Sequence, residues 1–240
     1  MDFAIPKVIG HRGAAGHAPE NTLASIRNAS ELGAKWVEFD IKLSRDGVLV
    51  LMHDDTLNRT TNARGAVADQ DFDALQKLDA GAWFDATFSD ERIPSLEETL
   101  QLAARLGLGC NIEVKPSPFQ DEATALALAK LLGEKRHLLA IPILVSSFSK
   151  VSLETLYRVL PEVPRGLIVG KIPGDWESEL RRLDCVSLHC SEQNLNQAKA
   201  SAIRDAGYEL LAFTVNNANR AATLFDWGVR AVFSDYPDRI

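Results

Sequence analysis

Short apolar, β-like runs alternate with stretches of helical spacing along nearly the whole chain. Lys7–His11 is brief and strand-like, and Asn21–Leu32 has helical periodicity. Trp36–Ser44 reads as a strand. Ser95–Leu106 reads as a helix, with Ser95 at the N-cap and Glu98 at the capping-box position. Six more strands are expected at Gly109–Lys115, Ile143–Phe148, Gly166–Lys171, Cys185–Cys190, Glu209–Val215 and Ala231–Ser234. Helical stretches separate them at Gln120–Glu134, Lys150–Val159, Trp176–Leu183, Gln197–Ala206 and Asn219–Trp227. Regular alternation implies parallel strands, because a parallel return needs a crossover. Eight such units in 240 residues fit a (β/α)₈ TIM barrel, with a doubly wound open sheet as the structural alternative.

One segment breaks the rhythm. Asp46-Gly47 stands between two β-like runs, which is a hairpin signal, so Val48–His53 is expected as an antiparallel return outside the barrel. Residues 54–94 then form a small insertion after the second barrel strand, containing Trp83 and Phe84. An insertion at this end is expected to cover the mouth of the barrel. With no low-complexity stretch or linker, residues 1–240 read as a single domain.

Composition narrows the possible partners. The chain is 46% hydrophobic and 25% charged, with a formal net charge of −7. An acidic chain without a basic run is poorly suited to holding nucleic acid or an anionic membrane by bulk charge. An anionic ligand therefore needs a local site. Met1–Pro6 lacks a basic region followed by an apolar one, and no apolar run reaches spanning length. The expectation is a cytoplasmic protein. Three cysteines, Cys110, Cys185 and Cys190, are expected as reduced, buried thiols rather than a disulfide framework.

The most informative strand is the one at Trp36. Val37, Phe39, Ile41 and Leu43 alternate with Glu38, Asp40, Lys42 and Ser44, so one face is apolar and the other carries two carboxylates side by side. Neighbouring carboxylates raise each other's pKa unless a cation lies between them. Glu113 shares a face of the next barrel strand with Asn111 and Lys115. Three such carboxylates make an all-oxygen set suited to Mg²⁺ or Ca²⁺, with Mn²⁺ also admissible. The competing readings are an exposed amphipathic edge strand for Glu38 and Asp40, and a salt bridge inside the barrel for Glu113. His11 ends the first strand and His53 ends the return, both at the carboxyl rim where barrel enzymes keep their reactive groups. Asp54 follows His53 and can orient its ring. His137 reads as solvated, and His189 as a core histidine in preference to a rim residue.

These residues fall in an ordered series. It comprises Gly10-His11-Arg12-Gly13, Pro19-Glu20-Asn21-Thr22, Glu38-Phe39-Asp40, Asp46-Gly47 with His53-Asp54, and Arg59-Thr60-Thr61. It continues with Ile93-Pro94-Ser95-Leu96, Asn111-Ile112-Glu113-Val114-Lys115, Ser147-Phe148, Phe213-Thr214-Val215-Asn216 and Ser234-Asp235-Tyr236-Pro237. The series resembles the glycerophosphodiester phosphodiesterase family, in its compact bacterial cytoplasmic form. The resemblance implies a TIM barrel with an insertion after the second strand and a metal-dependent hydrolysis of glycerophosphodiesters to glycerol 3-phosphate and an alcohol. It implies Glu38, Asp40 and Glu113 as metal ligands, and His11 and His53 as the general acid/base pair. Arg12 and Lys115 become phosphate contacts, and Phe213 a substrate contact where the family pattern has tryptophan. The expected partner is a small-molecule glycerophosphodiester, without nucleic acid or stable membrane association. Nothing in the sequence points to an oligomeric state. A secreted phospholipase of the sphingomyelinase D type and a catalytically inactive barrel serving as a binding module are the rival readings.

Overall fold

The computed structural model describes residues 5–135 and 140–240. Eight parallel strands close into a ring: β1 (Val8–Gly10), β2 (Trp36–Leu43), β4 (Gly109–Val114), β5 (Ile143–Ser147), β6 (Arg165–Val169), β7 (Ser187–Ser191), β8 (Glu209–Phe213) and β9 (Ala231–Ser234). β1 pairs with β9 on one side and β2 on the other, which completes the closure. The architecture is the expected TIM barrel. β3 (Leu49–Leu51) runs antiparallel to β2 and lies outside the ring.

The placement of β3 follows from the shortness of β1. On one edge of β2, β4 pairs from Trp36 to Ile41. On the other edge β1 reaches only Val37, and β3 takes over from Ile41 to Leu43. The return therefore covers the edge that β1 leaves open. β1 stops there because the backbone turns into the left-handed region at Arg12, with φ 49°, and at Gly13, with φ 89°.

Helices lie between successive strands: α1 (Leu23–Glu31), α3 (Leu96–Leu106), α4 (Asp121–Glu134), α5 (Lys150–Val159), α6 (Trp176–Arg182), α7 (Gln197–Asp205) and α8 (Ala218–Asp226). Alternate strand residues feed the layer between strands and helices. Phe39 and Ile41 of β2 share one buried cluster with Ile26 of α1 and Leu96 and Leu100 of α3. α3 starts with the expected capping box, in which the Ser95 side chain accepts from the Glu98 N–H and Glu98 reaches back to the Ser95 N–H.

Strand and helix ends lie within two residues of the sequence expectation, and α5 and β9 match it at both ends. At β7 pairing with β6 begins at Ser187, which leaves Cys185 ahead of the strand. All three cysteines are buried and free. The insertion contains a short α2 (Phe72–Leu75) and two 3₁₀ turns, Val67–Asp69 and Ala86–Phe88. It buries its own apolar cluster, which includes Leu57, Val67, Leu75 and Ile93 packed under Val50 and Met52. His137 lies outside the described residues.

Candidate active site

At the carboxyl ends of the strands a cavity of about 170 Å³ opens, lined in part by His11, Arg12, Glu38, His53, Glu113 and Lys115. The strand register creates this grouping. Asp40 is paired with Glu113 across β2 and β4, and Glu38 sits two residues below Asp40 on the same inward face. One carboxylate oxygen from each of Glu38, Asp40 and Glu113 lies within 4.8 Å of the others. β2 is a buried barrel strand, which removes the edge-strand reading.

The local backbone is shaped to serve these carboxylates. At the left-handed turn after β1, the Arg12 N–H donates to Glu38 Oε2 at 2.9 Å. Gly13 must be glycine, because a Cβ there would sit 2.3 Å from Ser25 Oγ at a φ that L side chains avoid. Asn21 holds Asp40 twice. Its Nδ2 donates to Asp40 Oδ2 at 2.9 Å, and its Oδ1 accepts from the Asp40 N–H at 3.1 Å.

Three buried carboxylates cannot all ionise cheaply without a cation. Burial pushes Glu38 well above the usual carboxyl range, and Asp40 and Glu113 add to the effect. Burial and Asp40 likewise push Glu113 up to about 7, against the opposing pull of Lys115. Asp40 is the exception. Burial opposes its ionisation too, but Arg12, Lys115, His53 and the Asn21 hydrogen bond overcome it and hold the group at about 2. Glu38 Oε1 is buried and has no hydrogen-bond partner among the described residues. An unpartnered buried oxygen inside an all-carboxylate cluster fits a hard divalent cation.

The two histidines are mounted alike. His11 Nδ1 is 2.7 Å from Asp235 Oδ1, and its Nε2 is 3.9 Å from Glu38 Oε2. His53 Nδ1 is 2.7 Å from Asp54 Oδ1. Each ring is thus oriented through Nδ1 by a carboxylate, leaving Nε2 for chemistry. Burial lowers the His53 pKa, with Arg12 and Lys115 assisting and Asp40 and Asp54 opposing. A charged chain links the two sides of the mouth. Asp54 receives Arg59, Arg59 also donates to Glu20, and Glu20 receives Arg12. Arg12 Nε lies 3.5 Å from Asp40, and Lys115 Nζ lies 3.0 Å from Glu113.

The glycerophosphoryl diester phosphodiesterase family model matches residues 11–239. A glycerophosphodiester phosphodiesterase of Caldanaerobacter subterraneus subsp. tengcongensis is 33% identical over 238 residues, covering 97% of this chain and 95% of the relative. One from Bacillus subtilis is 33% identical over 249 residues, covering 96% and 83%. Among solved structures, a phosphodiesterase of Oleispira antarctica in complex with the product sn-glycerol-3-phosphate superposes with a TM-score of 0.95 at 41% identity, covering 98% of this chain and 94% of that one.

The chain belongs to the glycerophosphoryl diester phosphodiesterase family. With that family it joins the phosphoric diester hydrolases. The structure brings His11, Arg12, Glu38, Asp40, His53, Glu113 and Lys115 into one constellation. Phe213 lines the cavity as well, edge-on to Phe148 with ring centroids 6.1 Å apart. Trp83 and Phe84 do not line it. They pack edge-to-face on each other, and Phe84 packs on Phe88. The insertion satisfied its aromatics locally instead of lending them to the mouth.

Sequence reasoning gave Asp235, Glu20, Asn21 and Arg59 no role, although all four stand in the quoted motifs. The His11–Asp235 contact spans 224 positions and exists only because β9 closes against β1. Asn216 steadies Asp235 in turn, donating from Nδ2 at 2.7 Å. His17 is paired with Asp238 at the surface, away from the carboxylates. His189 is fully buried inside the barrel, with Ser187 Oγ 2.9 Å from its Nε2, yet it also lines the cavity.

Proposed function

We propose that the protein hydrolyses small, deacylated glycerophosphodiesters to glycerol 3-phosphate and a free alcohol. Glu38, Asp40 and Glu113 hold a divalent cation, Mg²⁺ or Ca²⁺, with Mn²⁺ also compatible. The observation that carries this reading is the convergence of three carboxylates and two carboxylate-oriented histidines on one small cavity. The named product in the Oleispira antarctica complex supports the glycerol 3-phosphate half.

A bound cation supplies charge stabilisation at the phosphoryl oxygens and lets the three carboxylates ionise together. Arg12 and Lys115 place two further positive charges at the mouth, where a phosphodiester needs its negative charge offset. One histidine removes the proton of the nucleophile, either water directly or the neighbouring glycerol hydroxyl to give a cyclic phosphate that water then opens, and the other protonates the departing alkoxide. Each transfer contributes roughly 10²- to 10⁴-fold. Asp235 and Asp54 keep the rings turned so that Nε2 faces the substrate, and each stabilises the imidazolium formed in turn. Burial of His53 favours its neutral form, which suits proton acceptance near neutral pH.

The inactive-barrel reading requires a missing group, and every one is present. Bilayer substrates are disfavoured by the net charge of −7, which an anionic membrane surface repels. The test is turnover of glycerophosphocholine and glycerophosphoethanolamine against phosphatidylcholine vesicles, with both products identified. Release of free choline or ethanolamine from the soluble diesters is expected. Faster vesicle cleavage, or phosphocholine as product, would overturn the assignment.

A further inference from the structure

The inner part of the cavity holds two polar groups that the proposed chemistry does not use. Asn111 points inward from β4 two residues below Glu113, and His189 points inward from β7. Both are fully buried, and both line the cavity. Each is half satisfied. Asn111 Nδ2 donates to Ser146 Oγ at 2.9 Å, while Asn111 Oδ1 has no partner among the described residues. His189 Nε2 lies 2.9 Å from Ser187 Oγ, while His189 Nδ1 has none.

A buried polar atom left without a partner is costly, so such atoms in a ligand cavity are candidates for contacts the ligand supplies. The roles of the two atoms are opposite. Burial drives the His189 imidazole down to about 3, so the ring is neutral at physiological pH and carries a single N–H. Ser187 is fully buried, and among the described residues its hydroxyl has the His189 ring as its hydrogen-bond partner. The Ser187 hydroxyl therefore donates to Nε2, which places the ring proton on Nδ1. Two buried atoms of cavity-lining residues are then left unpaired, one donor, His189 Nδ1–H, and one acceptor, Asn111 Oδ1. The surroundings of the pair are apolar, including Ile168 and Phe233, with the Phe233 ring 5.4 Å from His189. That arrangement suits neutral hydroxyls on a short carbon chain, not a charged group.

We infer that Asn111 and His189 are a hydroxyl-reading pair that selects the glycerol of the substrate over phosphate esters with a bare alkyl chain. The inference rests on the glycerophosphodiester reading above and deepens it. Ser187 and Ser146 are positioning residues, because each occupies one polar atom of its neighbour and leaves the other unpaired. The pair belongs to the substrate's glycerol end, opposite in function to Arg12 and Lys115, which address the phosphate.

The experiment is calorimetric titration of the metal-loaded wild type with glycerol 3-phosphate and with n-propyl phosphate. The two share charge and carbon count and differ in the two hydroxyls. Glycerol 3-phosphate is expected to bind at least about 10-fold more tightly, the scale of one or two well-made hydrogen bonds. In Asn111→Ala and in His189→Phe the preference should fall below about 3-fold, with propyl phosphate affinity little changed. Equal affinities in the wild type would overturn the inference whether or not the variants fold. So would variants that weaken both ligands alike. If the wild type also fails to cleave glycerophosphodiesters, the substrate reading itself is wrong. If it cleaves them while binding both monoesters equally, only the hydroxyl-reading pair is lost.

Discussion

At the scale of the residue, the site is a balance of charges that is complete only with a cation. Glu38 and Glu113 are pushed towards their protonated forms by burial and by the neighbouring Asp40, while Asp40 itself is held ionised. Chelation by excess EDTA should abolish turnover, and Glu38→Gln should reduce it by at least about 10²-fold even with metal restored. Full activity in either condition would remove this metal site from the mechanism. For the histidines, His11→Ala and His53→Ala are each expected to lower kcat by at least about 10²-fold with unchanged thermal melting. Asp235→Asn should fall between wild type and His11→Ala, because it keeps the ring but weakens its orientation. His17→Ala, far from the carboxylates, should be near wild type in the same assay, and the opposite pattern would break the His11/His53 assignment. The carboxylates were legible in the sequence because two relations follow from strand geometry: Glu38 and Asp40 are two residues apart on one strand, and Asp40 is level with Glu113 on its neighbour. Asp235 was not, since nothing local marks a residue whose partner is at the other end of the chain.

At the scale of the element, the decisive piece is the turn after β1. It ends the strand early, aims the Arg12 N–H at Glu38 and opens the edge of β2 that β3 then covers. Gly13→Ala should destabilise the fold by about 1–3 kcal/mol, because its Cβ would collide with Ser25 at a left-handed φ. It should also lower kcat by displacing Arg12. Ser95→Ala is the control: it removes a capping box remote from the cavity and should cost about 1 kcal/mol in urea unfolding while kcat stays within about 2-fold. Equal losses of kcat in the two variants would mean that activity follows stability and not the turn. The strand and helix periods were readable because each barrel strand has one face toward helices. The insertion was not, because its short 3₁₀ turns carry no period, and its aromatics close on each other within residues 83–88. His189 stayed ambiguous for a related reason. A residue inside a barrel is buried whether it packs or binds, and only the unpartnered Nδ1 distinguishes the two.

At the scale of the whole molecule, closing the ring places charge inside the fold, so stability and metal binding must be linked through pH. In the metal-free protein Glu113 holds its proton up to about 7, against a usual 4.5. The folded state therefore binds more protons than the unfolded chain between those values, and this group's contribution to stability falls as pH rises through that window. Glu38 acts in the same direction. His189 has the opposite sign. Its pKa is depressed to about 3, so its contribution is present above about 6.5 and lost as pH falls towards 3. That term is common to the metal-free and metal-loaded states and cancels in their difference. A cation needs ionised carboxylates, so its binding releases protons and strengthens as pH rises. The gap in Tm between loaded and metal-free protein should thus widen from pH 5 to pH 8. At metal near 100 times Kd, the gain is about 2.7 kcal/mol, or roughly 5–10 °C for a chain of this length. Calorimetric scans with and without Mg²⁺ or Ca²⁺ at both pH values measure it directly. In Glu113→Gln, which has no proton to release at that position, the pH dependence of the gap should flatten. A wild-type gap independent of pH, or one that grows on acidification, would mean that the cation is held somewhere other than among these three carboxylates.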